Sequence, residues 1–152
     1  MTPSQRLRDL GIELPEVVAP IGAYLPAVRS GSLVFTAGQL PVVDGQLVCS
    51  GKVGAEVDAG EAAGLARSCA LNALAAVHTL VDIDAIRRVV KVTGFVASAP
   101  GFVDQPAVID GASALFGEVF GSEGGHARSA VGVAELPMNA PVELEIVVEV
   151  AT

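Results

Sequence analysis

The stretch Val142 to Val150 constrains this chain more than any other. Leu144, Ile146, Val148 and Val150 fall on one side of an extended backbone, while Glu143, Glu145, Val147 and Glu149 fall on the other. Such a segment belongs in a sheet with one face buried. A second stretch, Arg88 to Ser98, carries β-branched residues on both alternating faces, which suits a strand covered on two sides. The sheet therefore has helices over one face and needs some cover over the other, and a sheet of this kind commonly finds it in another subunit.

The helices that cover the first face are also legible. From Glu61 to about Val81, Ala62, Leu65, Cys69, Ala73, Ala76 and Leu80 recur at intervals of three and four, with Arg67, Ser68 and His78 at other angles. A second helix runs to about Phe120, with Asp104 as its cap, Pro106 in its first turn and Val108, Ile109, Ala112, Leu115, Phe116 and Val119 facing inward. Leu33 to Ala37 reads as a strand, and Asp44-Gly45 as a turn into a short strand around Leu47 to Cys49, a hairpin. Ser129 to Ala134 is a further strand before the turn bracketed by Leu136-Pro137 and Ala140-Pro141. Ser4 to Leu10 forms a short polar helix, stopped by Gly11 and Pro15, ahead of the Pro-interrupted stretch from Val17 to Pro26. Residues 1–20 are thus an N-terminal arm and 21–152 the domain proper. The order predicts an α+β fold, one sheet with two helices packed on one face.

Composition bounds the function. At 152 residues the chain has room for one core, and with 51% hydrophobic residues and a mean hydropathy of +0.58 it has ample material to fill it. A net charge of -8 disfavours binding to nucleic-acid phosphates. The N-terminal segment has no apolar core of a signal sequence, and no apolar run reaches membrane-spanning length, so a soluble, cytoplasmic protein without a membrane partner is expected. Cys49 and Cys69 lie outside any metal-binding spacing, and no metal site is expected.

Nucleotide-binding glycine loops, HExxH and GxSxG are all absent, which leaves a small polar set on an apolar scaffold: Tyr24, Asp110, His126, Arg128, Glu143 and Glu145. Arg128 opens an apolar strand and requires an anion, either Glu143 or Glu145 in an ion pair or a bound ligand. On antiparallel neighbours, Arg128 and Glu143 would approach one another within a chain or across an interface. Tyr24, the single tyrosine, either orients water or a carboxylate or covers the core edge. His126 is an acid or base near neutral pH or a polar loop residue. Cys69 and His78 are assigned to the core and to the solvated helix face.

Several runs carry a resemblance: Ile21-Gly-Ala-Tyr-Leu, Leu33-Val-Phe-Thr-Ala-Gly-Gln-Leu-Pro41, Val89-Val-Lys-Val-Thr-Gly-Phe-Val96, Ala127-Arg-Ser-Ala-Val-Gly-Val-Ala-Glu-Leu-Pro137 and Val142-Glu-Leu-Glu-Ile146. Over residues 17 to 150 the chain resembles the RidA/YjgF family, also labelled endoribonuclease L-PSP, in a branch with an N-terminal arm and His-Ala-Arg-Ser at 126 to 129. The resemblance implies a chorismate-mutase-like fold with a single mixed sheet, a homotrimer with pockets between subunits, and hydrolysis of reactive enamines or 2-imino acids to 2-oxo acids and ammonia. It implies that Arg128 holds the substrate carboxylate, that Glu143 and Tyr24 position the hydrolytic water, and that Gly38, Asp110, His126 and Ala130 line the pocket. No cofactor is implied. The chain departs from the family pattern at Ala23, Asp110, His126 and Ala130. The alternative function is a non-catalytic trimer that binds a small carboxylate-bearing metabolite; ribonuclease activity is less compatible with the charge, and chorismate mutase chemistry rests on fold analogy alone.

Overall fold

The computed structural model describes residues 1–152. In chain order the elements are α1 (Pro3–Asp9), β1 (Ala27–Ser30), β2 (Leu33–Thr36), β3 (Val42–Val43), β4 (Gln46–Leu47), α2 (Ala59–His78), β5 (Ile86–Ala97), α3 (Gln105–Phe120), β6 (Ala127–Val133) and β7 (Val142–Val150). Five strands form one mixed sheet in the order β1-β2-β7-β5-β6, and β3 and β4 form a separate ribbon. All neighbours in the large sheet are antiparallel except β5 and β6, which run parallel because α3 carries the chain back between them. β7, the strand with the cleanest alternation, sits centrally, and it buries Val142, Leu144, Ile146, Val148 and Val150 against the helices.

The helices start where the sequence supplies caps. The Asp58 side chain accepts from the backbone N–H of Glu61 at 2.8 Å, which starts α2 three residues from the first apolar position of its buried stripe. At α3 the expected cap differs: Asp104 occupies the N-cap position but makes no side-chain hydrogen bond there, and the entry relies on Pro106, whose fixed φ suits the first turn.

Two glycines set how closely the layers approach. Gly94 faces α3 from β5, and a Cβ there would strike the Ile109 side chain. Gly111 faces α2 from α3, and a Cβ there would strike the backbone carbonyl of Ala63. Their missing side chains bring α3 down onto both the sheet and α2.

Three expectations need correction. The Asp44-Gly45 turn does not join Leu33–Ala37 to 47–49; it closes the ribbon of β3 and β4, while β2 pairs with β1 through Gly31-Ser32. Asp44 and Gly45 both adopt positive φ, as the tight turn demands. The sheet has α1 as a third helix beside it. That helix is anchored to the rest of the chain, since Leu7 is buried in the core and Ser4 donates from its N–H and its hydroxyl to Asp84, at 2.8 and 2.7 Å. Finally, β6 lies against β5 and not against β7, with consequences for the site.

No helix packs on the other face of the sheet. Val28, Phe35, Val147, Lys91 and Ala127 form a row across it, followed by Glu145, Thr93 and Ser129 and then by Glu143, Phe95 and Val131. Phe35 and Val28 are 42% and 51% exposed there.

The close approach at Gly111 predicts that Gly111→Ala lowers stability by about 1–3 kcal/mol, since overpacking of this kind forces backbone to move. Gly117→Ala, six residues along the same helix with open space at its Cβ, should instead raise stability by about 0.5–1 kcal/mol. Thermal melts of the two variants check both signs.

Candidate functional site

One group of candidate residues gathers on the open face. β7 projects Glu143 away from the helices, and the chain leaving β2 is drawn across it by reciprocal backbone hydrogen bonds between Gln39 and Leu144, of 2.7 and 3.0 Å. This brings Gly38 against the Glu143 carboxylate so tightly that a Cβ at position 38 would collide with it. A cavity of about 420 Å³ opens here, lined by Glu143, Tyr24 and Gly38 together with apolar residues such as Ile21, Leu40 and Met138. The Tyr24 hydroxyl accepts from the N–H of Ile21 at 3.2 Å, which folds the 21–24 turn back on itself at the cavity edge.

Glu143 takes part in none of the four ion pairs of the chain. Its carboxyl is half-buried, and loss of water pushes its pKa above the ordinary value, with the nearby negative charge of Glu145 adding to the rise. A partly desolvated carboxylate without a counter-ion, beside a phenol in an apolar cavity, can take a proton from water.

Sequence reasoning did not find the residue that holds this wall in place. Asn72 of α2 is buried, and its amide donates to the carbonyls of Leu40 at 3.0 Å and Val42 at 2.9 Å. A lone amide within the apolar stripe of a helix was the available signal, because such a group must find partners in the core. Met138 was also missed. It and Asn139 adopt positive φ in the turn before β7, which sets Met138 at the cavity wall.

The second group gathers on the helix side. Arg128 stands level with Val92 of β5 and Ile146 of β7, both of which face the helices. Its Nη1 donates to Asp110 Oδ1 at 2.7 Å and to Ser113 Oγ at 3.1 Å, and its Nη2 to the Pro106 carbonyl at 3.4 Å. Ser113 in turn meets His126 Nε2 at 2.9 Å, and His126 Nδ1 lies 2.6 Å from the Gly124 carbonyl. Ala130, two residues beyond Arg128 on the same side, packs against the core. The ion partner of Arg128 is therefore Asp110, not Glu143 or Glu145.

The expected approach of Arg128 to Glu143 within a chain does not occur. β5 separates their strands, and the register puts Glu143, level with Phe95 and Val131, on the opposite face of the sheet from Arg128. The structure thus joins Tyr24, Gly38 and Glu143 in one place and Asp110, His126, Arg128 and Ala130 in another. No three His, Cys, Asp or Glu side chains converge as metal ligands, and no helix is long and apolar enough to cross a membrane.

The chain is similar to known proteins over nearly its whole length. The chain is 44% identical over 145 residues to a protein named TCP17 from Trypanosoma cruzi, an alignment covering 94% of this chain and 91% of that protein. It is 34% identical over 140 residues to a protein named 2-iminobutanoate/2-iminopropanoate deaminase from Dermatophagoides farinae, covering 90% and 93% of the two chains. Among solved structures, the protein Atu1372 from Agrobacterium tumefaciens superposes with a TM-score of 0.90 at 45% identity, over 98% of this chain and 92% of that one. A family model described as "YjgF/chorismate_mutase-like, putative endoribonuclease" matches residues 4–150. With that match running through both groups of polar residues and every strand of the sheet, the chain belongs to the YjgF/chorismate-mutase-like family, whose RidA branch it resembles in sequence.

Proposed function

We propose that this protein is a reactive enamine/imine deaminase that hydrolyses 2-imino acids to 2-oxo acids and ammonia, working as a cytoplasmic homotrimer. The observation that carries the reading is the unpaired, partly desolvated Glu143 beside Tyr24 in a cavity large enough for a small metabolite. The relative named as a deaminase supports it. So does the opposite placement of Arg128: one chain cannot aim both groups at one substrate, whereas a second copy packed on the open face can bring its own Arg128 to the Glu143 cavity. The exposed Phe35 and Val28 supply apolar surface for that packing. The free thiols Cys49 and Cys69 suit a reducing compartment.

In this scheme Arg128 of a second copy fixes the substrate carboxylate, which sets the imine carbon over the cavity. Glu143 takes a proton from water as its oxygen bonds to that carbon, and the C=N π pair moves to nitrogen. The carbinolamine then collapses. Glu143, having returned its first proton to the nitrogen, takes the hydroxyl proton as the carbon becomes a ketone and delivers it to the nitrogen, whose C–N bond breaks to release ammonia. Tyr24 holds the water in line. A trimer that binds carboxylates through Arg128 without turnover is the competing outcome, and the departures at Asp110 and Ala130 bear on it.

Four results are expected. Glu143→Gln lowers kcat for imine hydrolysis by about 10²–10⁴-fold, the usual worth of a general base, whereas Arg128→Ala acts mainly through KM, in a coupled assay with semicarbazide competing for free imine. Equal loss of both parameters in each variant, or no wild-type activity at all, overturns the deaminase. The acid limb of the wild-type pH profile is shifted upward from the value of an ordinary glutamate, because only ionised Glu143 accepts the proton and its burial raises its pKa. The sign for stability is opposite: a carboxyl with a raised folded pKa binds its proton more tightly in the native state, so its ionisation costs stability as pH rises. Glu143→Gln should therefore melt at or above wild type at pH 7, and the gap should close below about pH 4.3, the unfolded value of the group. Light scattering should give three times the 15.3 kDa chain mass, and Phe35→Asp should dissociate the assembly.

A further inference from the structure

The guanidinium of Arg128 has five N–H donors, and the chain divides them unevenly. Both hydrogens of Nη1 are committed, one to Asp110 Oδ1 at 2.7 Å and one to Ser113 Oγ at 3.1 Å. One Nη2 hydrogen points toward the Pro106 carbonyl at 3.4 Å. Nε–H and the other Nη2–H are uncommitted within the chain. Nε and Nη2 together form one edge of the fork, an edge that can match a carboxylate.

Ser113 is itself held in orientation. The Gly124 carbonyl can only accept, so at 2.6 Å it fixes the proton of His126 on Nδ1. In the neutral ring Nε2 then accepts, and the Ser113 hydroxyl donates to it across 2.9 Å. That turns a lone pair of Ser113 Oγ toward Arg128. Hydrogen bonds therefore run from Arg128 to Ser113 and from Ser113 to His126, while the far side of the ring is tied to backbone. The ring is also wedged edge-on by Phe116, with centroids 5.8 Å apart and planes at 85°. The backbone anchor is closely packed, since a Cβ at Gly124 would strike the Phe116 carbonyl. Asp110 alone would leave the guanidinium free to swing, being 68% exposed on its side chain.

We infer that Ser113 and His126 are positioning residues that hold the Arg128 guanidinium with its Nε–Nη2 edge turned outward for a ligand carboxylate. This rests on the reading of Arg128 as the carboxylate anchor. Neither residue touches the substrate; they act through Arg128.

The test is calorimetric binding of pyruvate and 2-oxobutanoate, with imine hydrolysis alongside, in wild type, Ser113→Ala, Ser113→Thr, His126→Ala, Arg128→Ala and the double variant Ser113→Ala/Arg128→Ala. Ser113→Ala and His126→Ala are expected to weaken binding, and to raise KM, by about tenfold with kcat little changed, the loss of one hydrogen bond to a charged group. Ser113→Thr keeps the hydroxyl and should recover most of the affinity, which a general packing defect would not permit. The double variant should bind no more weakly than Arg128→Ala. If Arg128→Ala loses binding while Ser113→Ala and His126→Ala bind like wild type, the inference is overturned and the anchor stands. If Arg128→Ala binds like wild type, the anchor fails and the inference with it. If wild type binds through Arg128 without turnover, the deaminase reading fails, and the binding constants decide the inference alone: weakened in Ser113→Ala they support it, unchanged they overturn it.

Discussion

Helix α3 lies where it does because two residues at its contacts lack a Cβ, Gly94 on the strand beneath it and Gly111 within the helix itself. Gly94 admits Ile109 to the sheet and Gly111 admits the Ala63 carbonyl of α2, so α3 is pressed against strand and helix at once. From that seat it delivers Asp110 and Ser113 to the Arg128 guanidinium at the sheet edge. The same helix is the crossover between β5 and β6 and makes those strands parallel, which decides the side of the sheet from which Arg128 projects. Packing density, topology and the charged cluster thus share one cause.

The two polar groups that result are electrostatically unlike. Arg128 is surrounded by a carboxylate, a hydroxyl and a backbone carbonyl, a setting that keeps a cation satisfied near an apolar layer. Glu143 has no counter-ion, a like charge for a neighbour and a glycine pressed against its carboxylate. A carboxylate left in that state lowers stability, and natural chains tend to keep such costs where chemistry uses them. Asn72 shows how local the arrangement is: a single amide ties two carbonyls of the cavity wall to the most buried helix.

Much of this was legible in the residues. β7 was read to its boundaries, because alternation over nine residues leaves one interpretation, and α2 and α3 were recovered within a few residues from apolar spacing. The four residues of β1, Ala27–Ser30, carry no periodic signal; they become a strand by pairing with β2. The partner of Arg128 was beyond alternation. Parity tells which residues of one strand share a face, but the relation of Arg128 to Glu143 also needs the order and direction of the strands between them. One clue was present, since a helix between two neighbouring strands implies parallel pairing, and following it would have moved Arg128 away from β7. The match of Tyr24, Gly38 and Glu143 to the family pattern did coincide with one cavity.

Placing the two groups on opposite sides of a sheet also divides what substitution can reach. A change in α3 or at the start of β6 alters the charge and orientation of the guanidinium cluster, and strand β5 and the thickness of the sheet stand between it and Glu143. A change at Ile21, Leu40 or Met138 reshapes the cavity without disturbing Arg128. The guanidinium cluster and the cavity are thus separate parts of one scaffold, each open to substitution without the other.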